Sequence, residues 1–124
     1  MKFLFTGKAP AAIGSYSQAV VANNMLYSSG QIGMNNKGII LSTKILEQTH
    51  QVMKNISYIL ENANINFNNI IKTTIFLSDM ENFEIVNKIY SEYLKEHKPA
   101  RSTVAVKTLP KNALVEIEFI ATIG

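Results

Sequence analysis

Two short apolar-rich runs lie near the start of the chain, at residues 17–22 and 25–31, and both read as β-strands. Asn23-Asn24 divides them, and because asparagine tolerates positive φ the dipeptide suits a two-residue hairpin turn. From about residue 43 to 63 the period changes: Ile45, Leu46, Val52, Met53, Ile56, Ile59, Leu60 and Ala63 form one stripe of an amphipathic helix. Ser42 or Thr43 is its expected N-cap, and His50, off the stripe, is expected at the surface. Residues 70–77 then read as a largely buried strand. A second helix, beginning near Asp79 or Asn82, turns Phe83, Val86, Tyr90, Tyr93 and Leu94 inward. It is expected to stop at Lys98-Pro99, because the residue before a proline disfavours α geometry. Strands at residues 100–107 and 114–122 flank a Leu109-Pro110-Lys111-Asn112 turn. The order is ββ-α-β-α-ββ, with a further strand at residues 2–6. Helical crossovers between strands predict an α+β fold, one mixed sheet with both helices on one face.

The last two strands read as a hairpin, with Val104 and Val106 on the core face of one and Val115, Ile117, Phe119 and Ala121 on the core face of the other. A one-residue slip would reverse every side chain, so this pairing fixes the parity. Arg101 and Thr103 would then share the opposite face, away from the helices, with Glu116 and Glu118. A cross-strand ion pair is the plain explanation of such a group. The functional one is that Arg101 offers a planar fork to an acidic ligand while a glutamate acts on water. Asn87 falls between Phe83 and Tyr90 on the inward helix face, where its amide needs a hydrogen-bond partner, nearby backbone being the plain candidate.

Composition narrows the field. The 124 residues fit one domain, 1–124, and an apolar content of 47% suits a packed core. No apolar run is long enough to span a bilayer, and the start Met1-Lys2-Phe3-Leu4-Phe5 breaks off too soon at Thr6-Gly7-Lys8 for a secretory leader. Cysteine is absent, which removes thiol chemistry and suits a reducing, cytoplasmic setting. With only His50 and His97 besides carboxylates, no metal site is expected. The net charge of +3 is spread over lysines interleaved with acids, unlike the concentrated basic face of a nucleic-acid binder. Gly14-Ser15-Tyr16-Ser17-Gln18 and Ser28-Ser29-Gly30-Gln31 are turn-like stretches whose backbone N–H groups could meet an anion, though neither matches a nucleotide-binding loop.

Together these stretches resemble one family. Ala9-Pro10-Ala11-Ala12-Ile13-Gly14-Ser15-Tyr16-Ser17-Gln18-Ala19 is similar to its N-terminal motif, followed in order by Ser29-Gly30-Gln31-Ile32 and Lys72-Thr73-Thr74-Ile75-Phe76-Leu77. Pro99-Ala100-Arg101-Ser102-Thr103-Val104, Leu109-Pro110-Lys111 and Val115-Glu116-Ile117-Glu118 resemble its signature. This is the reactive-intermediate deaminase (RidA/YjgF) family, and the likeness runs through essentially the whole chain. It implies a chorismate-mutase-like fold in a homotrimer whose sheets form a central barrel, with sites in clefts between subunits. It also implies hydrolysis of 2-imino or 2-enamino acids to 2-oxo acids and ammonia, with no cofactor. Carried over by position, Arg101 clamps the substrate carboxylate and Glu116 polarises the attacking water. Tyr16, Ser29, Gly30 and Asn87 complete the cleft, and Thr103 acts mainly through its backbone. Two departures stand out: Thr103 where many members have cysteine, and Ser15 and Gly33 where proline is common. Two other activities stay open within the resemblance, a non-catalytic regulator binding small carboxylates and a ribonuclease or translation inhibitor.

Overall fold

The computed structural model describes residues 1–124. Strands β1 (Lys2–Leu4), β2 (Ala19–Ala22), β3 (Met25–Ser28) and β4 (Gln31–Ile32) precede helix α1 (Ile45–Asn62). Strand β5 (Ile70–Leu77), helix α2 (Phe83–Leu94), β6 (Ala100–Ala105) and β7 (Val115–Thr122) follow. The strands form one mixed sheet in the order β1-β2-β3-β7-β5-β6, with β4 also pairing to β7, and both helices lie on one face. Val52, Met53, Ile56, Ile59 and Leu60 of α1 and Val86, Ile89 and Leu94 of α2 pack against Leu26, Ile75, Leu77, Val115, Ile117 and Phe119 of the sheet. Full burial of such side chains stabilises by roughly 1.5–3 kcal/mol each, so this layer carries the fold.

Asn23 and Asn24 both adopt positive φ, 51° and 59°, and close the β2–β3 hairpin as the sequence predicts. Several boundaries differ from expectation. The cap position of α1 is Lys44, not Ser42 or Thr43, although Ser42 Oγ accepts from the Lys44 N–H. Helix α2 ends at Leu94, four residues before Lys98, because Lys95 turns the backbone to φ 58° and breaks the helical path before Pro99 acts. His50 is only partly exposed, with its Nδ1 2.9 Å from the Tyr93 hydroxyl.

The main correction concerns the last two strands. They do not form a hairpin: β5 lies between them, antiparallel to β7 and parallel to β6. The crossover through α2 imposes the parallel pairing. The connecting segment then passes the end of β5, where Val106 N–H donates to Leu77 O and Ser78 N–H to Leu114 O. Paired residues share a face, and the pairings Thr73↔Arg101 and Ile75↔Thr103 match Thr73↔Phe119 and Ile75↔Ile117. Arg101 and Thr103 therefore face the helices. Glu116 and Glu118, paired with Phe76 and Thr74, face the other way. Val104 and Val106 are not core residues of the helix side. Val104 is 43% exposed on the open face, and Val106 joins a small cluster with Ile32 and Leu109.

The face without helices carries a cross-strand row of Phe3, Val20, Tyr27 and Ile120, in which Phe3 is 69% and Tyr27 47% exposed. No helix is long and apolar enough to cross a membrane.

Candidate active site

Arg101 sits on the edge strand β6, where α2 leans over the sheet. Phe83, Asn87 and Tyr90 repeat at helical spacing on the face of α2 that meets it. The guanidinium donates from Nη1 to Asn87 Oδ1 at 2.6 Å, and its carbon lies 5.4 Å and 5.2 Å from the Phe83 and Tyr90 ring centroids. Both separations are within cation–π range. The Tyr90 hydroxyl is held in turn by Thr73 Oγ1 at 2.7 Å. Burial pushes the Tyr90 phenol up, opposed by the Thr73 hydrogen bond and the Arg101 charge. Asn87 thus bonds the arginine rather than backbone, and one guanidinium N–H of five is spent on it. The Thr103 hydroxyl, on the same face, is buried with no hydrogen-bond partner.

Glu116 belongs to a second cavity, of about 420 Å³, lined by Tyr16, Gln18, Ser29, Gly30, Lys111 and the glutamate among others. A break in one strand builds it. β3 and β4 both pair with β7, but between them Ser28 Oγ, not a carbonyl, accepts the Phe119 N–H. The chain kinks at Ser29 and Gly30, with Ser29 N–H donating to Gln18 O and Ser29 Oγ to Ser17 O. A Cβ on Gly30 would stand 2.7 Å from Cδ of Glu116, so only glycine lets the carboxylate settle there. Burial, then the Glu118 charge, raises the Glu116 pKa above the ordinary 4.5. A base shifted in this direction is better matched to proton transfer near neutrality.

The N-terminal loop bearing Tyr16 is pinned by Gln18, which is 3% exposed. Its Oε1 accepts from Thr6 N–H at 2.7 Å, and its Nε2 donates to Thr6 O and to Pro10 O. Tyr16 itself is 56% exposed. At Gly33, a Cβ would meet Cα of Gln48 at 2.8 Å, so the proline common at this position would require α1 to stand further off.

The sequence-selected residues therefore fall into two groups. Arg101, Asn87 and Thr103 gather on the helix side of the sheet edge. Glu116, Tyr16, Ser29 and Gly30 gather around the cavity on the other side. One chain does not bring Arg101 and Glu116 together. Sequence reasoning missed Phe83 and Tyr90 as the aromatic flank of Arg101, although their spacing around Asn87 was visible, and missed Lys111 as a cation lining the Glu116 cavity. Lys111 takes positive φ, 55°, inside the Pro110–Asn112 turn, a geometry its residue type does not announce. No three His, Asp or Glu side chains are grouped to hold a metal ion.

Residues 6–123 match the family model described as Endoribonuclease L-PSP. A human protein named 2-iminobutanoate/2-iminopropanoate deaminase is 44% identical over 124 residues, covering 99% of this chain and 90% of that one. The chain belongs to the reactive-intermediate deaminase family. A second member, from Lactococcus lactis and named as a candidate regulator, AldR, is 51% identical over 99% of this chain and 98% of its own. Among solved members, a protein from Yersinia pestis described as of unknown function in the Rid family superposes with a TM-score of 0.95. It is 49% identical and covers 98% of both chains. The family membership accounts for the mixed sheet with two helices.

Proposed function

We propose that the protein hydrolyses 2-imino acids, and 2-enamino acids after tautomerisation, to 2-oxo acids and ammonia. The observation that carries this reading is the pair of half-sites: a carboxylate grip at Arg101 and a half-buried, proton-avid carboxylate at Glu116, each opening to solvent without the other. A second copy of the chain can supply the missing half. The exposed Phe3, Tyr27 and Val104 support assembly through the open sheet face, since apolar side chains there gain from being covered. A closed homotrimer with its sheets around a common barrel satisfies both needs.

In the assembled site the Arg101 fork pairs with the substrate carboxylate and fixes the adjacent C=N carbon. Asn87 and the Phe83 and Tyr90 rings hold that fork in place. Glu116 of another copy takes a proton from water as its oxygen adds to the imine carbon. The nitrogen takes that proton to give a carbinolamine, whose hydroxyl proton then passes by way of Glu116 to the nitrogen, so that the C–N bond breaks, the C=O of the 2-oxo acid forms and ammonia leaves. Tyr16, Ser29 and Gly30 line the side from which the water comes. Imines hydrolyse readily, so orientation and one directed water are enough, and no cofactor is invoked. A cytoplasmic setting accords with a chain free of cysteine.

The candidate-regulator name of the Lactococcus lactis relative favours a second reading, carboxylate sensing without turnover. Ammonia release from 2-iminopropanoate or 2-iminobutanoate, generated in place by an amino acid oxidase, separates the two. The wild type is expected to accelerate release, and Arg101→Lys, which keeps the charge but loses the planar fork, to weaken substrate use strongly while the fold survives. A wild type no faster than buffer would leave only the sensing role. The endoribonuclease description has less to draw on. His50 is engaged with Tyr93 and His97 with the Ile70 carbonyl, so the two histidines form no acid–base pair.

A further inference from the structure

Next to Arg101 lies a cavity of about 380 Å³, bounded by Asn87, Tyr90, Lys95, His97, Lys98 and Arg101 among others, with no acidic side chain in its lining. Its volume is in the range of small-molecule sites. Neither Lys95 nor Lys98 has a carboxylate partner, the one ion pair of the chain being Lys8–Glu61. Glu96, between them in sequence, lines the neighbouring groove beside Tyr93 as well as Lys95 and His97, and puts no carboxylate into this cavity. His97 is fixed by an Nε2–H donated to Ile70 O at 2.7 Å; a carbonyl only accepts, so Nδ1 is left for other partners.

The backbone at Lys95 adds a second observation. His97 N–H donates to Leu94 O, closing a turn in which Lys95 stands at φ 58°, ψ −119°. That is the first central position of a type II′ turn, ordinarily occupied by glycine. Strain of this kind is retained where the surroundings use it. A glycine would end α2 here at lower cost but would leave the rim of the cavity without its ammonium.

We infer that this cavity is a subsite for a second acid group, so that the preferred substrates are 2-imino dicarboxylic acids. The inference rests on Arg101 gripping the first carboxylate, as proposed above. Its remaining N–H donors take the carboxylate next to the C=N carbon, while Lys95 and Lys98 receive the distal one over the apolar floor of Leu94 and Pro99. A monocarboxylic substrate would leave the two ammonium groups unmatched.

The test is calorimetric binding of 2-oxoglutarate and 2-oxobutanoate, stable analogues of the dicarboxylic and monocarboxylic substrates, to the full-length wild type, Lys95→Gly and Lys98→Gln. Lys95 and Lys98 are exposed, and charge contacts at such sites are worth about two- to fivefold each, so the wild type is expected to prefer 2-oxoglutarate by roughly tenfold. Each variant should bring that ratio down toward one. Lys95→Gly should also raise the melting temperature, which separates lost binding from lost structure. Equal affinity of the wild type for both acids would overturn the subsite and leave the Arg101 reading standing, as would a ratio untouched in both variants. Failure to bind either acid would overturn both.

Discussion

If each site draws Arg101 from one copy and Glu116 from another, two inactive chains can repair one another. Arg101→Met removes the guanidinium but keeps a long side chain, and Asn87, partly exposed, can turn to water. Glu116→Gln keeps shape and one acceptor oxygen but cannot take a proton. Each variant alone is expected to lose activity by about 10²–10³, the usual effect of removing one preorganised polar group. Co-refolded in equal amounts, half of the Arg101 positions and half of the Glu116 positions are native. An intact site needs one of each from different chains, so about one quarter of all sites recover. Ammonia release from 2-iminopropanoate should therefore climb from a background of a percent or less to about a quarter of the wild-type rate. Mixing the already folded proteins should give the same end point only as fast as subunits exchange. Light scattering on the same samples should report about 41 kDa, three chains of 13.8 kDa each. A co-refolded mixture no more active than the average of its parents, at that mass, would refute the shared site.

Two further outcomes follow from the electrostatics and packing. Folding raises the Glu116 pKa, so the folded chain holds that proton more tightly than the unfolded one, and the stabilisation this gives is present below 4.5 and lost as pH rises through the raised value. Glu116→Gln should thus melt above the wild type near neutral pH with no advantage below 4.5, and a pH-independent difference would contradict burial as the cause. Thr103→Val removes a buried hydroxyl that has no partner and should stabilise by about 1 kcal/mol in chemical denaturation. With Thr103 acting through its backbone, as the resemblance implies, ammonia release should persist, and its loss would assign the hydroxyl a role in binding.

The elements were legible where the signal is local. The stripe from Ile45 to Leu60 reports α1, the dense apolar run Ile70–Leu77 reports β5, and Asn23-Asn24 reports the hairpin that it closes. The C-terminal limit of α2 was misread because a lysine at positive φ carries no signature, whereas Pro99 does. The face of Arg101 was misread for a different reason. Residues 100–105 and 115–122 are neighbours in sequence, and a hairpin is the shortest way to join them. Whether a third strand intervenes depends on contacts made by β5, which lies before both. Alternation within a strand fixes which residues travel together; it does not say to which side they go. That is also why the candidate residues could be selected while their division between the two faces of the sheet could not be read.

The contact between Gly30 and Glu116 restricts how the family line leading from this chain can drift. A methyl at position 30 would meet the carboxylate carbon at 2.7 Å, so any side chain there requires that of Glu116 to swing out of its present place or to shorten. Either change takes the carboxylate from the place it now occupies beside Gly30. With Glu116 as the proposed base, alanine at position 30 displaces the group on which hydrolysis would depend. A descendant with a larger residue there is expected to keep the fold with hydrolysis weakened.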